Sequence, residues 1–264
     1  MYLFRRLFYY LRSSVTLLRG VRNWPALFSL LKRRAEPVEL TLRDGTRYLV
    51  RSLMDVWIVK EINLDRDYEK HGVPIQDGWN IVDIGAGLGD FTIFAARRAP
   101  NGRVFAYEPA PDSIELLRGN LAINATSNAE AFPYAVSDKA GTLSLDVSGG
   151  VAVQYSTVDT LDGPGSRIEV KSVALADVLA ALPGGTCDLL KIDAEGAEYD
   201  MLLNLDDESL NHVRRICLEY HDFVTSYSHI DLARYFQAKG WYVRVSPSKV
   251  REDLGFLYAA ASLS

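Results

Sequence analysis

Two spacings of apolar residues recur along this chain, and together they predict an α/β fold. Short apolar runs, typical of strands, alternate with segments in which apolar residues recur every three or four positions, typical of helices. The main strand-like runs are residues 80–84, 103–108, 129–136, 187–192 and 214–222. The first helical segments between them are residues 91–98 and the segment that starts at Pro111. Such an alternation builds a mostly parallel, Rossmann-like sheet with helices on both faces.

Turn signals divide the remainder of the chain into smaller units. Asp44-Gly45 separates the alternating residues 38–43 from residues 46–50, which predicts a β-hairpin, and residues 53–70 have a helical pattern. Further short strands are expected at residues 141–147, 153–158 and 168–173, and a closing hairpin at 241–245 and 255–261. We therefore expect an N-terminal extension, residues 1–67, followed by one α/β domain, residues 68–264.

The turn after the first core strand contains three glycines at alternate positions. Gly85, Gly87 and Gly89 follow an apolar run that includes Asp83, and a helical pattern comes next. Glycines let backbone amides approach a ligand that a Cβ would exclude, and the helix N-terminus behind them favours an anion. This predicts a nucleotide or nucleoside cofactor site that includes Asp83, Gly85, Ala86, Gly87 and Gly89.

The spacing of this turn discriminates between cofactors. A dinucleotide fingerprint places its third glycine one residue later, where this chain has Asp90. The second core strand ends at Glu108, 19 residues after Gly89, and a carboxylate there can accept both ribose hydroxyls. Ser137 and Asp138 end the third predicted strand and are candidates for the adenine edge. A turn held by local side-chain hydrogen bonds is an equal alternative for this pair.

Ionisable side chains crowd the ends of the last two predicted core strands, where open α/β sheets bind ligands. They are Asp193, Glu195, Glu198, Glu219 and His221. The main candidates for a general base are Asp193, His221 and Glu195, and Glu219 ranks after these three. Alternatively, Glu195 and Glu198 only favour the N-terminus of the next helix, and His221 bonds to backbone. Carboxylates also suit hard cations, but no tight ligand spacing supports a metal site, so none is predicted and metal dependence stays open.

These motifs resemble the FkbM-type methyltransferases over residues of about 68–222. The block from Leu190 to Glu198, with its Lys-Ile-Asp-Ala-Glu-Gly-Ala-Glu core, is the specific part, whereas the glycine turn fits many methyltransferases. The other matching residues are Val82 to Gly89, Tyr107-Glu108-Pro109, Asn120 with Asn124, Ser137-Asp138 with Gly141, and Glu219.

The resemblance implies a seven-stranded sheet with an antiparallel last strand, S-adenosylmethionine as cofactor, and methyl transfer to a hydroxyl, often of a sugar or natural product. It also implies that Gly85, Gly87 and Glu108 hold the cofactor. Asp193 and Glu195 would then lie at its reactive end. We therefore expect a hydroxyl-bearing acceptor, a saccharide or glycolipid in particular, and glycan modification as the biological role.

Charge is distributed unevenly along the 264 residues, whose net charge is −5. Residues 1–36 carry a net charge of +7 and the remainder −12, which argues against a nucleic-acid surface on the main domain. Residues 1–34 combine arginines with a helical apolar pattern. This predicts a basic amphipathic helix that lies on an anionic membrane or a partner, or equally one that caps the body of the same protein.

Few features of the sequence point to an oxidising compartment or to a membrane span. Cys187 and Cys217 each lie in an apolar run, and no apolar segment approaches the ~20 residues that span a bilayer. A cytoplasmic location is expected, with peripheral contact at the inner membrane face open. Two other functions remain as alternatives: an NAD-dependent oxidoreductase on a similar sheet, and a non-catalytic binding module that keeps the methyltransferase fold.

Overall fold

A computed structural model describes residues 12–31, 36–146, 167–248, 251 and 253–261. The predicted strand at 153–158 and the first eleven residues of the predicted amphipathic helix lie outside these ranges. In the described part of the chain, no helix is long and apolar enough to cross a membrane.

The N-terminal extension packs on the body of the protein through one buried face. Helix α1 includes residues 12–20; there follow a 3₁₀ helix (Trp24–Leu31), β1 (Val38–Thr41), β2 (Arg47–Val50), α2 (Leu53–Val59), a π-helical turn (Lys60–Leu64) and α3 (Asp67–His71). The predicted hairpin is confirmed, since β1 and β2 pair antiparallel around Asp44-Gly45. Val21, Leu40 and Tyr48 share a core cluster with Leu88 and Ile93 of the body. The described part of the extension therefore packs on the rest of the chain through this cluster.

Seven strands form the main sheet, in the order β11-β12-β10-β9-β3-β4-β5. They are β3 (Asn80–Ile84), β4 (Arg103–Tyr107), β5 (Ala129–Phe132), β9 (Leu189–Ile192), β10 (Arg215–His221), β11 (Tyr242–Pro247) and β12 (Leu254–Ala260). All pair parallel from β5 to β10, and β12 runs antiparallel to both its neighbours. The expected Rossmann-like sheet with its antiparallel last strand is confirmed, and the parallel strands all present their carboxyl ends at one edge.

A second, smaller sheet corrects one sequence prediction. Its strands are β6 (Ala135–Ser137), β7 (Gly141–Asp146) and β8 (Arg167–Ala174), in the order β6-β8-β7. The single strand predicted over 129–136 is wrong, because β5 ends at Phe132 and β6 begins in the other sheet. Pro133 lies between them and has no N–H to donate to a strand ladder, so the chain leaves the main sheet there.

Helices connect the strands and cover the sheet. They are α4 (Asp90–Arg98), α5 (Pro111–Ile123), α6 (Leu175–Ala180), α7 (Glu198–Leu203), α8 (Asp207–Leu210) and α9 (His229–Ala238), with a short 3₁₀ helix at Pro183–Gly185. Pro111 begins α5 as predicted, and Ser228 with Asp231 forms the capping box of α9. The largest buried cluster includes Val82, Leu190 and Leu218. A buried apolar core therefore supports the edge of the sheet at which the parallel strands end.

Candidate active site

The glycine turn lies against the acidic strand end at the carboxyl edge of the sheet. Gly85, Gly87 and Gly89 have φ of 71°, 53° and 88°, in the left-handed region that favours glycine. A Cβ on Gly85 would lie 1.8 Å from the backbone oxygen of Asp193. Around Gly87 the nearest atom to such a Cβ is 3.9 Å away. Gly85 therefore packs against the acidic strand end, whereas a Cβ on Gly87 would meet only the Asp90 carboxylate at ordinary van der Waals distance, which leaves room for a cofactor beside it.

Glu108 lies against this turn. Its Oε2 accepts a hydrogen bond from the Gly87 amide at 2.8 Å, and its Oε1 accepts one from the Ala110 amide at 2.8 Å. Burial raises the pKa of Glu108 to about 7, although both backbone hydrogen bonds act in the opposite direction. The carboxylate is thus held in one orientation beside Gly87, where ribose hydroxyls can donate to its remaining lone pairs.

A buried ion pair supports the turn from the interior of the sheet. Asp83 has no exposed surface; its carboxylate accepts from Thr92 Oγ1 at 2.6 Å and lies 2.9 Å from Lys191 Nζ. Lys191 also donates to the backbone oxygen of Gly85 at 2.8 Å. Burial alone would lower the pKa of Lys191, but the carboxylates of Asp83 and Asp193 raise it above its usual value. Asp83 therefore holds Lys191 in place, and Lys191 in turn fixes the glycine turn through its hydrogen bond to Gly85.

Asn120 ties the turn to the N-terminal hairpin. Its side-chain amide donates to the backbone oxygen of Leu88 at 2.8 Å, and its Oδ1 accepts from the Leu49 amide at 2.6 Å.

Asp90 begins α4 in the position of the missing dinucleotide glycine and is buried. Burial raises the pKa of Asp90 to about 7, although Lys191 lowers it.

The predicted catalytic residues meet beside Gly85. His221 Nδ1 lies 2.7 Å from Glu198 Oε1, and the latter carboxylate is fully buried. The other ring nitrogen, Nε2, faces Glu195 Oε2 at 3.6 Å and Asp193 Oδ1 at 4.0 Å. Glu195 has a φ of 49°, unusual outside glycine and typical of strained functional positions. Strands β9 and β10 therefore bring Asp193, Glu195 and His221 into one cluster.

Burial and mutual contact change the ionisation of this cluster. Burial would lower the pKa of His221, but the hydrogen bond to Glu198 and the carboxylates around the ring raise it to about 10. Burial raises the pKa of Glu195 to about 7 and, with the Asp193 carboxylate, that of Glu219 well above its usual value. In the free protein at neutral pH, the raised pKa of His221 favours its imidazolium form, and the pKa of Glu195 lies near the ambient pH.

Ser137 and Asp138 lie at the end of β6, outside the main sheet. Ser137 Oγ donates to Asp138 Oδ1 at 3.1 Å, and Ala135 of the same strand packs with Ala110, two residues beyond Glu108. The local hydrogen bond matches the turn alternative. Their contact with adenine stays a prediction.

Three contributions to the site were not predicted from the sequence. The sequence pattern places Lys191 in an apolar strand and Glu198 at a helix terminus, and it gives no role to Tyr68, whose hydroxyl lies 3.4 Å from Asp193 Oδ2. A lone lysine in a buried strand was the available signal for the first. The other two depend on partners 23 and 125 residues away, so local pattern carried no signal for them.

Comparison with known proteins identifies the family. Residues 83–242 match the Methyltransferase FkbM domain. The chain is 32% identical over 211 residues to the methyltransferase sdnD of Sordaria araneosa, covering 69% of this chain and 81% of that protein. It is also 32% identical over 194 residues to the 31-O-demethyl-FK506 methyltransferase FkbM of Streptomyces tacrolimicus, covering 63% and 74%. The chain belongs to the FkbM methyltransferase family.

A solved structure supports the fold independently. The FkbM methyltransferase of Methylobacillus flagellatus superposes with a TM-score of 0.50 at 16% identity, over 90% of this chain and 59% of that one. The predicted family is therefore confirmed, and the chain is a methyltransferase whose cofactor is S-adenosylmethionine. The glycine turn, its open side at Gly87 and the fixed Glu108 carboxylate fit that cofactor. Family membership decides against the NAD-dependent alternative, as Asp90 had indicated.

Proposed function

We propose that this FkbM-family protein transfers the methyl group to a hydroxyl, that of a sugar in a glycan, glycolipid or natural product. The cluster of Asp193, Glu195 and His221 beside the cofactor turn carries the proposal. A hydroxyl is a weak nucleophile at neutral pH, so its methylation gains from a nearby group that accepts the proton. The Streptomyces relative, named for its action on 31-O-demethyl-FK506, supports an oxygen acceptor.

The side chains divide the work between positioning and proton transfer. When bound, S-adenosylmethionine supplies an already activated methyl group. Glu195, whose pKa is about 7, accepts the hydroxyl proton as the oxygen–methyl bond forms and the sulfur–methyl bond breaks. The products are a methyl ether and S-adenosylhomocysteine. Glu198 holds the His221 ring in place, so that Nε2 faces the Glu195 and Asp193 carboxylates.

A transfer assay tests the proposal. The protein is incubated with S-adenosylmethionine carrying a ¹³C-methyl group and with sugar glycosides or the matching amino sugars, and NMR locates the label. We expect methyl ethers, and a rate about 10²-fold or more lower for Glu195→Gln, with cofactor binding kept. Glu208→Gln, an exposed acid on α8, is the matched control. Label on nitrogen alone, or an undiminished rate in Glu195→Gln, would contradict the proposal.

We further propose that the acceptor is met at an anionic membrane surface, through the exposed side of the N-terminal extension. Val15, Leu18, Trp24, Phe28 and Leu31 are between 42% and 66% exposed. Three exposed arginines accompany them: Arg12, Arg19 and Arg22. Aromatic and basic side chains together favour the interface of an anionic bilayer.

Vesicle sedimentation tests the membrane contact. We expect binding to phosphatidylglycerol vesicles, weaker binding to phosphatidylcholine, and loss of binding in Trp24→Ala/Phe28→Ala. Tyr242→Ala removes an aromatic side chain that is equally exposed (59%) on the opposite end of the chain and serves as control. If all variants bind the vesicles equally, or if the unaltered protein does not bind them, the proposed contact of the N-terminal extension with the membrane is wrong.

A further inference from the structure

Three side chains at the carboxyl edge converge on one point. One oxygen each from Asp193 and Glu219 and one ring nitrogen from His221 all lie within 4.8 Å of one another. The convergence follows from the sheet: Ile192 and Leu218 are partners in the parallel β9–β10 ladder, so the next residues, Asp193 and Glu219, lie side by side. His221 is two residues beyond Glu219, on the same face of β10.

The imidazole of His221 is fixed and has one nitrogen left over. Nδ1 is taken by Glu198 Oε1 at 2.7 Å, and the Glu198 carboxylate is itself held by the Gly196 amide at 2.7 Å. His221 is only 4% exposed, yet Nε2 has no hydrogen-bond partner among the described residues, since the carboxylates of Glu195 and Asp193 lie beyond that distance. Metal-binding histidines are commonly held in this way, with the other ring nitrogen on a carboxylate.

Apart from His221 itself, no basic side chain among the described residues lies close enough to balance the carboxylates of the cluster. Within the described residues, neither Asp193 nor Glu219 lies within salt-bridge distance of a lysine or arginine. Lys191, the nearest lysine along the chain, is held by Asp83 and by the Gly85 backbone oxygen. A positive ion at the point of convergence would balance this charge.

We propose that Asp193, Glu219 and His221 bind one divalent cation of the Mn²⁺ type. Two carboxylates and one imidazole suit a cation that accepts both oxygen and nitrogen ligands, and about three further positions of a six-coordinate ion stay open for oxygens of other molecules. The next step rests on the proposed hydroxyl methylation. The open positions of the cation would take two neighbouring oxygens of the acceptor. This narrows the acceptor to a vicinal diol or a hydroxyl next to a carbonyl.

With the cation bound, the side chains of the cluster would have two different roles, ion binding and proton acceptance. Glu195 is not among the three ligands, and its carboxylate would accept the proton of the cation-bound hydroxyl. A cation lowers the pKa of a bound O–H group, which makes the hydroxyl a better nucleophile. Asp193, Glu219 and His221 then hold the ion, while the methyl group passes to the oxygen bound to it.

Electron paramagnetic resonance of Mn²⁺ tests the site without any acceptor. The full chain, freed of metals with a chelator and saturated with S-adenosylhomocysteine, is titrated with Mn²⁺ while the free-ion signal is recorded. We expect one ion per chain and at least about tenfold weaker binding in Glu219→Gln and His221→Gln, with Glu208→Gln unchanged. Retained S-adenosylhomocysteine binding shows that each variant is folded.

Failure of this inference and failure of the proposed function give different results. No loss of free Mn²⁺ signal at about millimolar ion, or equal affinity in all variants, overturns the cation site. Undiminished methylation of hydroxyls in chelator would also overturn the role of the ion while it leaves the proposed function intact. Site-specific Mn²⁺ binding with methylation of nitrogen alone would keep the cation site and remove the hydroxyl acceptor.

Discussion

At Gly85, the cofactor turn touches the acidic strand end. Because a Cβ there would lie 1.8 Å from the Asp193 backbone oxygen and φ is 71°, Gly85→Ala must separate β3 from β9 as well as strain the backbone. We expect a loss of roughly 3 kcal/mol in the free energy of unfolding. Urea denaturation measures it.

Gly78→Ala is the matched control, because it separates backbone strain from the steric clash. Its φ is 80°, but no atom lies within 4 Å of a Cβ at that position. We expect a loss of about 1–2 kcal/mol from the left-handed conformation alone. Equal losses in the two variants would show that the contact between Gly85 and Asp193 contributes nothing.

Glu108 connects cofactor affinity to pH. Its pKa of about 7 means that the carboxylate which accepts the ribose hydroxyls forms as pH rises from about 6 to 8. We expect S-adenosylhomocysteine affinity to rise over this range, and Glu108→Gln to bind at least tenfold more weakly at pH 8, about 1.4 kcal/mol. Calorimetric titration measures both.

Two comparisons make the Glu108 result specific. Glu130→Gln removes an exposed carboxylate on β5 and should bind the cofactor like the unaltered protein. The pH-dependent rise in affinity should be missing from Glu108→Gln, because that variant has no carboxyl group to titrate at this position. If the rise persists in Glu108→Gln, another group of the protein or of the cofactor causes it.

At the scale of elements, the ion pair between β3 and β9 holds the two central strands beneath the cofactor turn. Lys191→Met leaves the fully buried Asp83 carboxylate without its counter-ion, which typically costs about 3–5 kcal/mol. We expect the double variant Asp83→Asn/Lys191→Met to be more stable than Lys191→Met, because no buried charge is left unpaired. Urea midpoints of the unaltered protein, Asp83→Asn, Lys191→Met and the double variant measure the coupling.

The prediction has a clear opposite result. If the double variant is destabilised by the sum of its single changes, the two side chains do not interact energetically. Lys191 would then act only through the Gly85 backbone oxygen, to which it also donates.

Sequence pattern predicted most elements, because strands and helices follow from local spacing. The hairpin at Asp44-Gly45, the main sheet and the glycine turn are examples. The break at Pro133 was missed, since apolar residues continue on both sides of it. In the site, residue types pointed to Asp193 and His221, but not to the geometry between them. That geometry depends on Glu198, whose hydrogen bond to His221 joins α7 to β10.

At the scale of the whole molecule, proton uptake couples folding to pH. Burial raises the pKa of Asp90 to about 7, so the folded protein keeps a proton on this carboxyl from about pH 4 to 7 that the unfolded chain releases. The free energy of unfolding must therefore fall as pH rises through this window. Glu108 acts with the same sign. The protein without cofactor should be more stable at pH 5 than at pH 8.

Asp90→Asn isolates this term, since the amide keeps the shape of the protonated carboxyl. We expect little change in stability at pH 5 and a gain on the order of 2 kcal/mol at pH 8, where the unaltered protein must bury a charge. Urea denaturation across the range measures the difference, with the exposed Asp112→Asn as control. A difference that is constant with pH would show that Asp90 titrates alike in both states. A loss at pH 8 would mean that its carboxylate stabilises the fold through Lys191, which lies close enough to lower the pKa of Asp90.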